Sequence, residues 1–411
     1  MSSRDTISID EALDLVLGCP RGRGGTERVG LGESQGRVLS EPVDCAEDFP
    51  AADVSAMDGF AVRARDLAAA GALRLQGESL AGSPFSGRLA AGSCIRVMTG
   101  GLMPEGADAV VPVELSSGFE AREDGTVGFE GPAAAGDNVR PKGSVRAAGD
   151  RLLGPGTRIR PAQIGVLAQQ GFCQVAVAKR PSVAVLPTGD EVVAIEETPA
   201  PGQVRNSNAH ALVAQIAAAG GIPTLLPILR DREGDTLERM AEALAEHDLL
   251  CTIGGVSMGT RDLVRPAFAE LGGKVLVEAL RVKPGKPTLF GALEQSGHRA
   301  CLLGLPGNPA SSFTIFALLA VPWIRAFLGM PEAEIRKRQR ASLWYSKVRA
   351  NRRLQALPGR LRLRPDGVVV EELRQKSSAD LFSLGEADVL FFAPENQAPR
   401  DGDLIDWVAL S

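Results

Sequence analysis

Three glycine-rich segments in the middle of the chain could bind an anion, because each directly follows a predicted strand. They are Thr188-Gly189-Asp190-Glu191, Gly254-Gly255-Val256-Ser257-Met258-Gly259 and Gly304-Leu305-Pro306-Gly307-Asn308-Pro309. Glycine lets backbone N–H groups approach a phosphate closely, and the N-terminus of a following helix adds a favourable dipole. None of the three segments has the pattern of a P-loop or of a dinucleotide-binding fingerprint. The pattern predicts an anion site and disfavours P-loop ATP hydrolysis and nicotinamide chemistry.

Carboxylates lie beside these loops and could hold a hard cation. Asp190 and Glu191 follow the first predicted strand, Asp231 follows the second, and Asp262 lies three residues after the end of the second glycine-rich segment. Carboxylate oxygens at a phosphate site are typical ligands of Mg²⁺, which also keeps waters and substrate oxygens. The alternative for each acid is capping of the following helix, since Asp is common at strand-to-helix junctions. The residues alone leave both interpretations open.

A further segment, Lys283-Pro284-Gly285-Lys286-Pro287, carries two ammonium groups on a turn stiffened by prolines. This arrangement suits an oxyanion or phosphate, and an exposed basic hairpin is the alternative. The three histidines, at positions 210, 247 and 298, have no metal-ligand spacing, and no nucleophile and base pair stands out. The predicted chemistry is therefore positioning and electrostatic stabilisation of an anionic substrate, with help from a metal.

Alternating strands and helices must position these loops. Strands alternating with helices of 10–13 residues indicate βαβ units, and hence an α/β doubly wound, mostly parallel sheet. In such a sheet the carboxyl ends of neighbouring strands open onto one crevice, where ligands bind. Ser207 or Asn208 is the expected cap of the first helix. The predicted strands are Ser182–Leu186, Thr224–Leu229, Leu249–Ile253, Val275–Leu280, Thr288–Phe290 and Cys301–Leu305, and the predicted helices are Ala209–Ala219, Thr236–His247 and Pro309–Phe327.

The remaining segments differ in character from this α/β region. Ser8 and Glu11 predict a capping box at the start of an N-terminal helix. Short apolar runs between glycines and prolines predict a β-rich module, and a second β module follows Gly329. The segment 336–364 has 11 Lys and Arg and no acid, which fits a solvated face or a partner or phosphate surface. Four domains are predicted: a discontinuous N-terminal domain (1–43 and 146–179), a β-rich domain (44–145), an α/β domain (180–328) and a C-terminal domain (329–411). The predicted strands of the β-rich domain include Ala72–Leu75, Cys94–Met98, Ala109–Val113 and Thr126–Phe129.

Composition excludes several classes of protein. The chain has 411 residues, 44% of them apolar, and a formal net charge of −5, so wholesale disorder and nucleic-acid binding driven by positive charge are disfavoured. The six cysteines are far apart in the sequence, which fits reduced thiols rather than a zinc site or disulfide framework. The acidic N-terminus is not typical of a signal peptide. The apolar stretch Phe313–Leu328 contains Pro322 and Arg325, and we expect it to be too short for a membrane span. We therefore expect a cytoplasmic protein with no membrane segment.

Ordered motifs over essentially the whole chain resemble those of molybdopterin molybdenumtransferases, the family that includes the gephyrin E domain. One block reads Ser55-Ala56-Met57-Asp58-Gly59-Phe60-Ala61-Val62, similar to the family's S-A-M-D-G-[YF]-A signature. The next block joins Met98-Thr99-Gly100-Gly101 to Pro104-Glu105-Gly106-Ala107-Asp108-Ala109-Val110-Val111. The loops described above follow in the family's order.

The resemblance implies an elongated homodimer with a discontinuous N-terminal domain, a β-rich domain, an α/β molybdopterin-binding domain and a C-terminal β-barrel. It implies that adenylylated molybdopterin is cleaved in the presence of molybdate and Mg²⁺, which releases AMP and leaves molybdenum on the dithiolene. It also implies an active site between subunits, where Asp58 and Thr99 of one chain face the α/β loops of the other. The implied partners are molybdopterin adenylyltransferase and downstream cofactor-handling proteins, with no nucleic acid and no membrane.

Residue roles follow from that resemblance together with the chemistry of the loops. The expected catalytic residues are Asp58, Thr99, Glu191, Asp231 and Asp262. The expected ligands of Mg²⁺ are Asp190, Glu191, Asp231 and Asp262. The expected cofactor-binding residues are Thr188, Gly189, Ser207, Gly254, Gly255, Ser257, Lys283, Lys286, Pro306, Gly307 and Asn308.

The chain departs from the family pattern at four places. Carboxylates are usual at Ser144-Val145 and Asn206, a glycine is usual at Ala379, and an asparagine is usual at Asp388. These departures leave two further functions to consider. One is a cofactor-binding scaffold of the same family with weakened catalysis. The other is a different nucleotide or pyrophosphate hydrolase built on the same α/β module.

Overall fold

A computed structural model of the chain describes residues 6–19, 24–256, 262–295, 298–365 and 367–410. The chain divides into two compact units. Unit 1 comprises residues 1–41, 155–164 and 174–411, and unit 2 comprises residues 42–154 and 165–173. Unit 2 therefore interrupts unit 1 in the sequence, at the place where a discontinuous N-terminal domain is predicted.

Helices and strands are numbered here in chain order over the described residues. The helices are α1 (Ile9–Leu17), α2 (Ala64–Ala70), α3 (Pro161–Gln169), α4 (Ser207–Ala219), α5 (Glu233–Glu246), α6 (Val264–Glu270), α7 (Pro309–Ile315), α8 (Val321–Phe327), α9 (Glu332–Ile335) and α10 (Phe382–Gly385). The strands are β1 (Thr26–Gly30), β2 (Val43–Asp44), β3 (Val54–Ser55), β4 (Gly59–Val62), β5 (Ala72–Ser79), β6 (Ser93–Val97), β7 (Ala109–Pro112), β8 (Thr126–Gly128), β9 (Val139–Arg140), β10 (Arg151–Leu153), β11 (Gln174–Ala178), β12 (Ser182–Pro187), β13 (Val192–Val193), β14 (Val204–Arg205), β15 (Ile222–Leu225), β16 (Leu249–Ile253), β17 (Lys274–Val277), β18 (Val282–Lys283), β19 (Leu289–Gln295), β20 (His298–Leu305), β21 (Gln339–Trp344), β22 (Leu354–Arg364), β23 (Gly367–Glu372), β24 (Val389–Ala393) and β25 (Leu404–Ala409).

Unit 1 is built around a six-stranded sheet in the order β15-β12-β16-β20-β19-β17. The first four strands are parallel, and β19 and β17 are antiparallel to their neighbours. Strand β12 has side chains on both faces in apolar clusters, Val183 and Val185 on one face and Ala184 and Leu186 on the other. Helices α4, α7 and α8 cover the first face, and α5 and α6 cover the second. The α/β prediction is confirmed, and burial on both faces explains the continuous apolar runs of β12 and β16.

Several details of the sheet differ from the sequence-based expectation. Strand β16 has the predicted bounds, whereas the second strand is Ile222–Leu225 rather than Thr224–Leu229. The predicted caps of α4 were wrong, because Asn206 is the N-cap and its side chain accepts from the Ala209 N–H. The β19–β20 pair is an antiparallel hairpin, which a buried apolar run does not reveal because it fits either strand direction.

The apolar stretch near residue 320 lies in one continuous helix, Pro309–Phe327, which has the predicted bounds. It joins α7 and α8 through a π-helical turn over Phe316–Ala320. Pro322 has no N–H to donate, and the π-helical turn immediately before it takes up this interruption. The helix is long and apolar enough to cross a membrane by length and composition, so the prediction that it is too short was wrong. However, 78% of it is buried inside the protein, which is typical of a core helix.

The C-terminal part of unit 1 is a closed five-stranded barrel in the order β22-β23-β21-β25-β24, closed by the pairing of β24 with β22. Its interior is apolar and includes Leu343, Val370, Phe391 and Ile405. Strand β18, next to the Lys283 turn, also pairs with β22. The predicted C-terminal β-barrel is confirmed.

The N-terminal helix α1 begins with the predicted capping box, in which Ser8 and Glu11 exchange hydrogen bonds. In unit 2, a five-stranded sheet in the order β7-β4-β6-β5-β8 forms the main structure. Phe60, Leu73 and Val127 are among its buried core residues. The four strands predicted for this module are present as β5 to β8, so the β-rich prediction is confirmed.

Candidate functional site

The predicted loops of unit 1 lie at one edge of the six-stranded sheet. Strands β12, β16 and β20 are parallel neighbours, so the segments that follow them leave the sheet on the same side. Strand β19 is antiparallel to β20, with Leu289 opposite Gly304, so the Lys283–Pro287 turn enters the sheet at that edge too. The chain runs from β12 to one side through β15 and returns on the other side through β16. Ligands of open α/β sheets bind at such a reversal of strand order.

Thr188 and Gly254 meet at that reversal. The Thr188 side chain is buried, and both its N–H and its hydroxyl donate to the carbonyl oxygen of Ile253, at 3.0 and 3.1 Å. Gly254 has a φ of +90°, and a Cβ added there would lie 2.9 Å from Thr188 Oγ1. Only glycine satisfies both the backbone angle and the space, so this residue lets the two loops approach each other.

The first loop is held by the segment after β15. The Gly189 N–H donates to the Leu229 carbonyl at 3.1 Å, and the Asp231 N–H donates to Asp190 Oδ1 at 3.3 Å. Arg230 Nη1 lies 2.9, 3.2 and 3.5 Å from the carbonyl oxygens of Asp190, Val192 and Gly189 respectively. A guanidinium that donates to several carbonyls fixes the path of the loop backbone. The structure therefore brings Asp190 and Asp231 side by side.

Sequence reasoning missed Arg230, because its contacts are with backbone carbonyls and leave no pattern of side-chain types. The available signal was a basic residue directly before the predicted site acid Asp231 at a strand end.

Glu191 and the start of helix α4 belong to the same edge. Strands β13 and β14 pair in parallel, and the Val204 N–H donates to the Glu191 carbonyl at 2.9 Å. The Glu191 carboxylate folds back over Gly189, where an added Cβ would lie 2.7 Å from Oε2. Ser207, the first residue of α4, is exposed. The pairing of β13 with β14 thus carries the α4 N-terminus to the first loop.

The third loop is linked to the other two. The Gly254 N–H donates to the Leu305 carbonyl at 2.9 Å, and Asn208 Nδ2 donates to the Gly307 carbonyl at 2.7 Å. Pro306 is buried, whereas Gly307 and Asn308 are exposed. In the described part of the chain, the N–H groups of Gly255, Gly307 and Asn308 have no backbone hydrogen-bond partner. These are the groups that an anion at this edge would use.

The second glycine-rich segment is described only in part. Ser257, predicted to bind the cofactor, lies outside the described residues. Asp262 Oδ1 accepts a 3.4 Å hydrogen bond from the Arg265 N–H near the start of α6. Asp262 thus contacts the first turn of α6, whose N-cap is Leu263.

Lys283 and Lys286 are both exposed on their turn. Gly285 between them has a φ of +112°, and a Cβ added there would lie 2.4 Å from Ile315 of the long core helix. The Thr288 hydroxyl donates to the Gly285 carbonyl at 2.7 Å. Among the described residues, no carboxylate lies within 4.0 Å of either ammonium group. Their charges are therefore available to a ligand.

Unit 2 holds the two remaining site residues, Asp58 and Thr99, in direct contact. Asp58 Oδ1 accepts from both the N–H and the hydroxyl of Thr99, each at 2.7 Å. These hydrogen bonds, first that of the N–H and then that of the hydroxyl, hold the pKa of Asp58 below its usual value, against a small opposing effect of burial. Asp58 is exposed and ionised at neutral pH, so it acts as an acceptor or an electrostatic group.

The acidic residues at the sheet edge are the candidate ligands of a metal ion. Within the described ranges, no three His, Cys, Asp or Glu side chains are grouped so that they could hold a metal ion by themselves. Mg²⁺ commonly binds through one or two carboxylates together with substrate phosphates and waters. The adjacent Asp190 and Asp231 supply oxygen donors of that kind, so these residues fit such an ion.

Comparison with known proteins covers nearly the whole chain. Family models described as the MoeA N-terminal region (domain I and II), a probable molybdopterin binding domain and the MoeA C-terminal region (domain IV) match residues 7–171, 184–326 and 346–410. The chain is 34% identical to a molybdopterin molybdenumtransferase of Bacillus subtilis, over 80% of this chain and 76% of the relative. It is 36% identical to that of a Nostoc species, over 74% and 70% respectively.

Solved structures agree with the sequence matches. Two crystal structures of a molybdopterin biosynthesis MoeA protein from Pyrococcus horikoshii are 29% and 25% identical to this chain, with TM-scores of 0.81 and 0.83. They cover 99% and 98% of this chain, and each match extends over the whole of the solved chain. With this coverage in both sequence and structure, the chain belongs to the MoeA family of molybdopterin molybdenumtransferases.

Proposed function

We propose that this protein is a transferase that inserts molybdate into adenylylated molybdopterin and releases AMP. The observation that carries the proposal is the single sheet edge where the ends of β12, β16 and β20 meet the Lys283–Pro287 turn. The neighbouring acidic residues Asp190 and Asp231 lie at the same edge, and among the described residues neither Lys283 nor Lys286 has a carboxylate partner. A substrate with a pyrophosphate and an adenylate needs backbone N–H donors and positive charge. The names of the relatives supply the identity of the substrate.

Backbone N–H groups and lysine side chains of the chain would bind different parts of the anionic substrates. The N–H groups of Gly255, Gly307 and Asn308 would bind phosphate oxygens, as unpaired backbone donors at strand ends do. Lys283 and Lys286 would attract molybdate or the pterin phosphate. The remaining predicted binding groups of the described residues, Thr188, Gly189, Ser207, Gly254 and Pro306, would shape the loops around the ligand.

We propose that Mg²⁺ is held between the substrate and the acids of the first loop. Asp190 and Asp231 would bind it, with Glu191 and Asp262 as the other candidate ligands. When bound, Mg²⁺ would neutralise charge on the phosphate oxygens as AMP leaves. Glu191, Asp231 or Asp262 would orient the attacking water by accepting a hydrogen bond from it.

We also propose a homodimer in which Asp58 and Thr99 of one chain serve the α/β loops of the other. The finer division into four domains, the cytoplasmic location and the partners, molybdopterin adenylyltransferase and downstream cofactor-handling proteins, belong to the same proposal. Their support is the membership of the family.

One assay tests the reaction. AMP release from adenylylated molybdopterin is measured with purified protein, with and without molybdate and Mg²⁺. We expect release that depends on both. Tight binding of the substrate without AMP release would favour the scaffold alternative. AMP release at the same rate with and without molybdate would favour a pyrophosphate hydrolase.

A mixing experiment tests the shared site. Asp58→Ala and Lys286→Ala proteins are each prepared, unfolded together and refolded as mixed dimers. If the site combines residues of two chains, half of the dimers regain one intact site, so activity returns to about one quarter of that of the native protein. If each site lies within one chain, every site keeps one defect and activity does not return.

A further inference from the structure

A cavity of about 530 Å³ lies in unit 1, and none of the predicted site residues that the structure describes line it. Helix α1, the end of α4, the long core helix and strand β25 form its walls. This volume is within the range of roughly 300–1,000 Å³ that is common for small-molecule sites. The walls include Leu13, Leu318, Val321 and Trp407, so part of the surface is apolar. The cavity can therefore hold an organic group.

Positive side chains dominate the polar part of this cavity. Six lining residues are basic, Arg158, Arg160, Arg325, Arg336, Lys337 and Arg338, and two are acidic, Asp10 and Glu334. Three of the basic residues are neutralised: Arg336 pairs with Asp14 and Glu332, Lys337 with Glu334, and Arg338 with Asp10. The three cavity residues that belong to the basic segment 336–364 are therefore paired with acids. The other three basic residues of the cavity lie outside that segment.

Arg158, Arg160 and Arg325 lack such partners. Among the described residues, no carboxylate oxygen lies within 4.0 Å of their guanidinium nitrogens. Arg325 Nη1 donates to the backbone carbonyl of Glu334 at 3.2 Å. Burial lowers the pKa of Arg325, the Glu334 carboxylate partly opposes this, and the like charge of Arg158 lowers it further. A bound anion would relieve the repulsion between these two arginines.

Two lining residues also have buried polar atoms without a partner in the described part of the chain. They are Gln215 Oε1 and Trp407 Nε1. Buried polar atoms normally have a hydrogen-bond partner, and an unsatisfied one needs an explanation. A ligand with a donor for Gln215 Oε1 and an acceptor for the Trp407 Nε1–H would satisfy both atoms.

We propose that this cavity is a second binding site, for a small organic oxyanion that carries an apolar group. The unpaired guanidinium groups would bind the oxyanion, and the apolar wall would take the carbon skeleton. The site is separate from the proposed transferase site, so its occupation does not depend on molybdate or on adenylylated molybdopterin.

The test uses 8-anilinonaphthalene-1-sulfonate, an aromatic sulfonate whose fluorescence rises on binding, with full-length protein. Arg158→Gln and Arg325→Gln should each weaken binding by about five-fold or more, since each removes a charge-assisted hydrogen bond to the sulfonate. Arg28→Gln is the matched control, because Arg28 is exposed in unit 1 and does not line the cavity. N-phenyl-1-naphthylamine, the same skeleton without the sulfonate, should bind more weakly than the sulfonate and respond to none of the substitutions.

Unchanged sulfonate affinity in both cavity variants would overturn the proposal, as would equal binding of the neutral analogue. If Arg325→Gln fails to fold, Arg158→Gln and Arg160→Gln decide the question, because both side chains are exposed. AMP release by the variants should remain at the native rate, which separates this site from the transferase site.

Discussion

Two regions of the molecule carry the proposed chemistry, and they are built differently. At the edge of the six-stranded sheet, the loops are positioned by backbone hydrogen bonds, such as that from Gly254 to Leu305, and by close approaches that only glycine allows. In unit 2, a single carboxylate, that of Asp58, is oriented by the N–H and the hydroxyl of Thr99. At the sheet edge, many backbone groups together position the loops, whereas in unit 2 one side chain carries the proposed function.

This difference predicts opposite responses to substitution. A side-chain change in unit 2 should remove function and leave the fold intact, because Asp58 is exposed and supports no core packing. A change at the sheet edge should alter function by way of the backbone, and stability should fall with it. The four substitutions below test this contrast.

The largest expected effect is that of Asp58→Asn. The substitution keeps the shape of the side chain and removes its charge, so AMP release should fall by about 100-fold or more. The midpoint of thermal unfolding should not change measurably. AMP release and thermal unfolding are measured on the same preparation.

Asp124→Asn is the matched control, because Asp124 Oδ1 accepts from the N–H and hydroxyl of Thr126 in the same unit. It should leave AMP release unchanged. Equal loss in both variants, or full activity of Asp58→Asn, would show that the Asp58 charge has no special role.

Gly254→Ala should have the next largest effect, and it should lower stability as well as activity. Alanine at a φ of +90° costs about 1–3 kcal/mol, and its Cβ would lie 2.9 Å from Thr188 Oγ1. Displacement of the loop should slow AMP release roughly ten-fold. Urea unfolding and AMP release measure the two effects.

Gly234→Ala is the control, because Gly234 lies in α5 and an added Cβ there meets no atom within 4 Å. It should stabilise the protein by about 0.5–1 kcal/mol. A Gly254→Ala protein as stable as the native one would contradict the idea that the sheet edge depends on backbone fit.

The sequence predicts the frame of the sheet edge better than its contacts. The apolar run 249–253 between polar and glycine residues defines β16, because a strand buried on both faces needs a continuous apolar segment. Helix α6 was missed, because Pro266 interrupts its short pattern although proline is tolerated in a first helical turn. Three polar residues in a row, Asn206 to Asn208, are all good caps, and the choice among them depends on where the backbone leaves β14.

For the candidate site too, the sequence predicts which residues are present better than it predicts their contacts. Residue types and strand ends were enough to name Thr188 and Gly254, yet the contact between them depends on the strand order, which local sequence does not encode. Arg230 could not be found from residue types, because it binds carbonyl groups that every residue has. In unit 2, family resemblance named Asp58 and Thr99 as site residues, but their hydrogen bonds to each other were not predicted, since 41 positions separate the two residues.

Arg230→Met tests how far the first loop depends on the hydrogen bonds from Arg230 to its backbone carbonyls. The substitution keeps an apolar stem but removes the donors to the Asp190 and Val192 carbonyls, so the loop should become looser. We expect KM for adenylylated molybdopterin to rise about three-fold with little change in kcat, as for a residue that positions a binding loop. Arg232→Met, an exposed neighbour at the start of α5, should change neither constant. An equal KM in both variants would remove Arg230 from the site.

The smallest expected effect is a shift in pH dependence on Thr99→Val. The pKa of Asp58 is lowered by the Thr99 N–H and then by the hydroxyl, so loss of the hydroxyl should raise that pKa toward its usual value while the N–H still holds it down. Because the ionised form is the active one, the acid limb of the AMP-release profile should move to higher pH, with the rate near neutrality little changed. The carboxyl ¹³C shift of Asp58 follows the same titration directly. Thr126→Val should raise the pKa of Asp124, which Thr126 lowers in the same way, without moving the activity profile. If the acid limb stays in place while the Asp58 titration moves, Asp58 is not the group whose ionisation sets the rate, and unit 2 would contribute binding rather than charge.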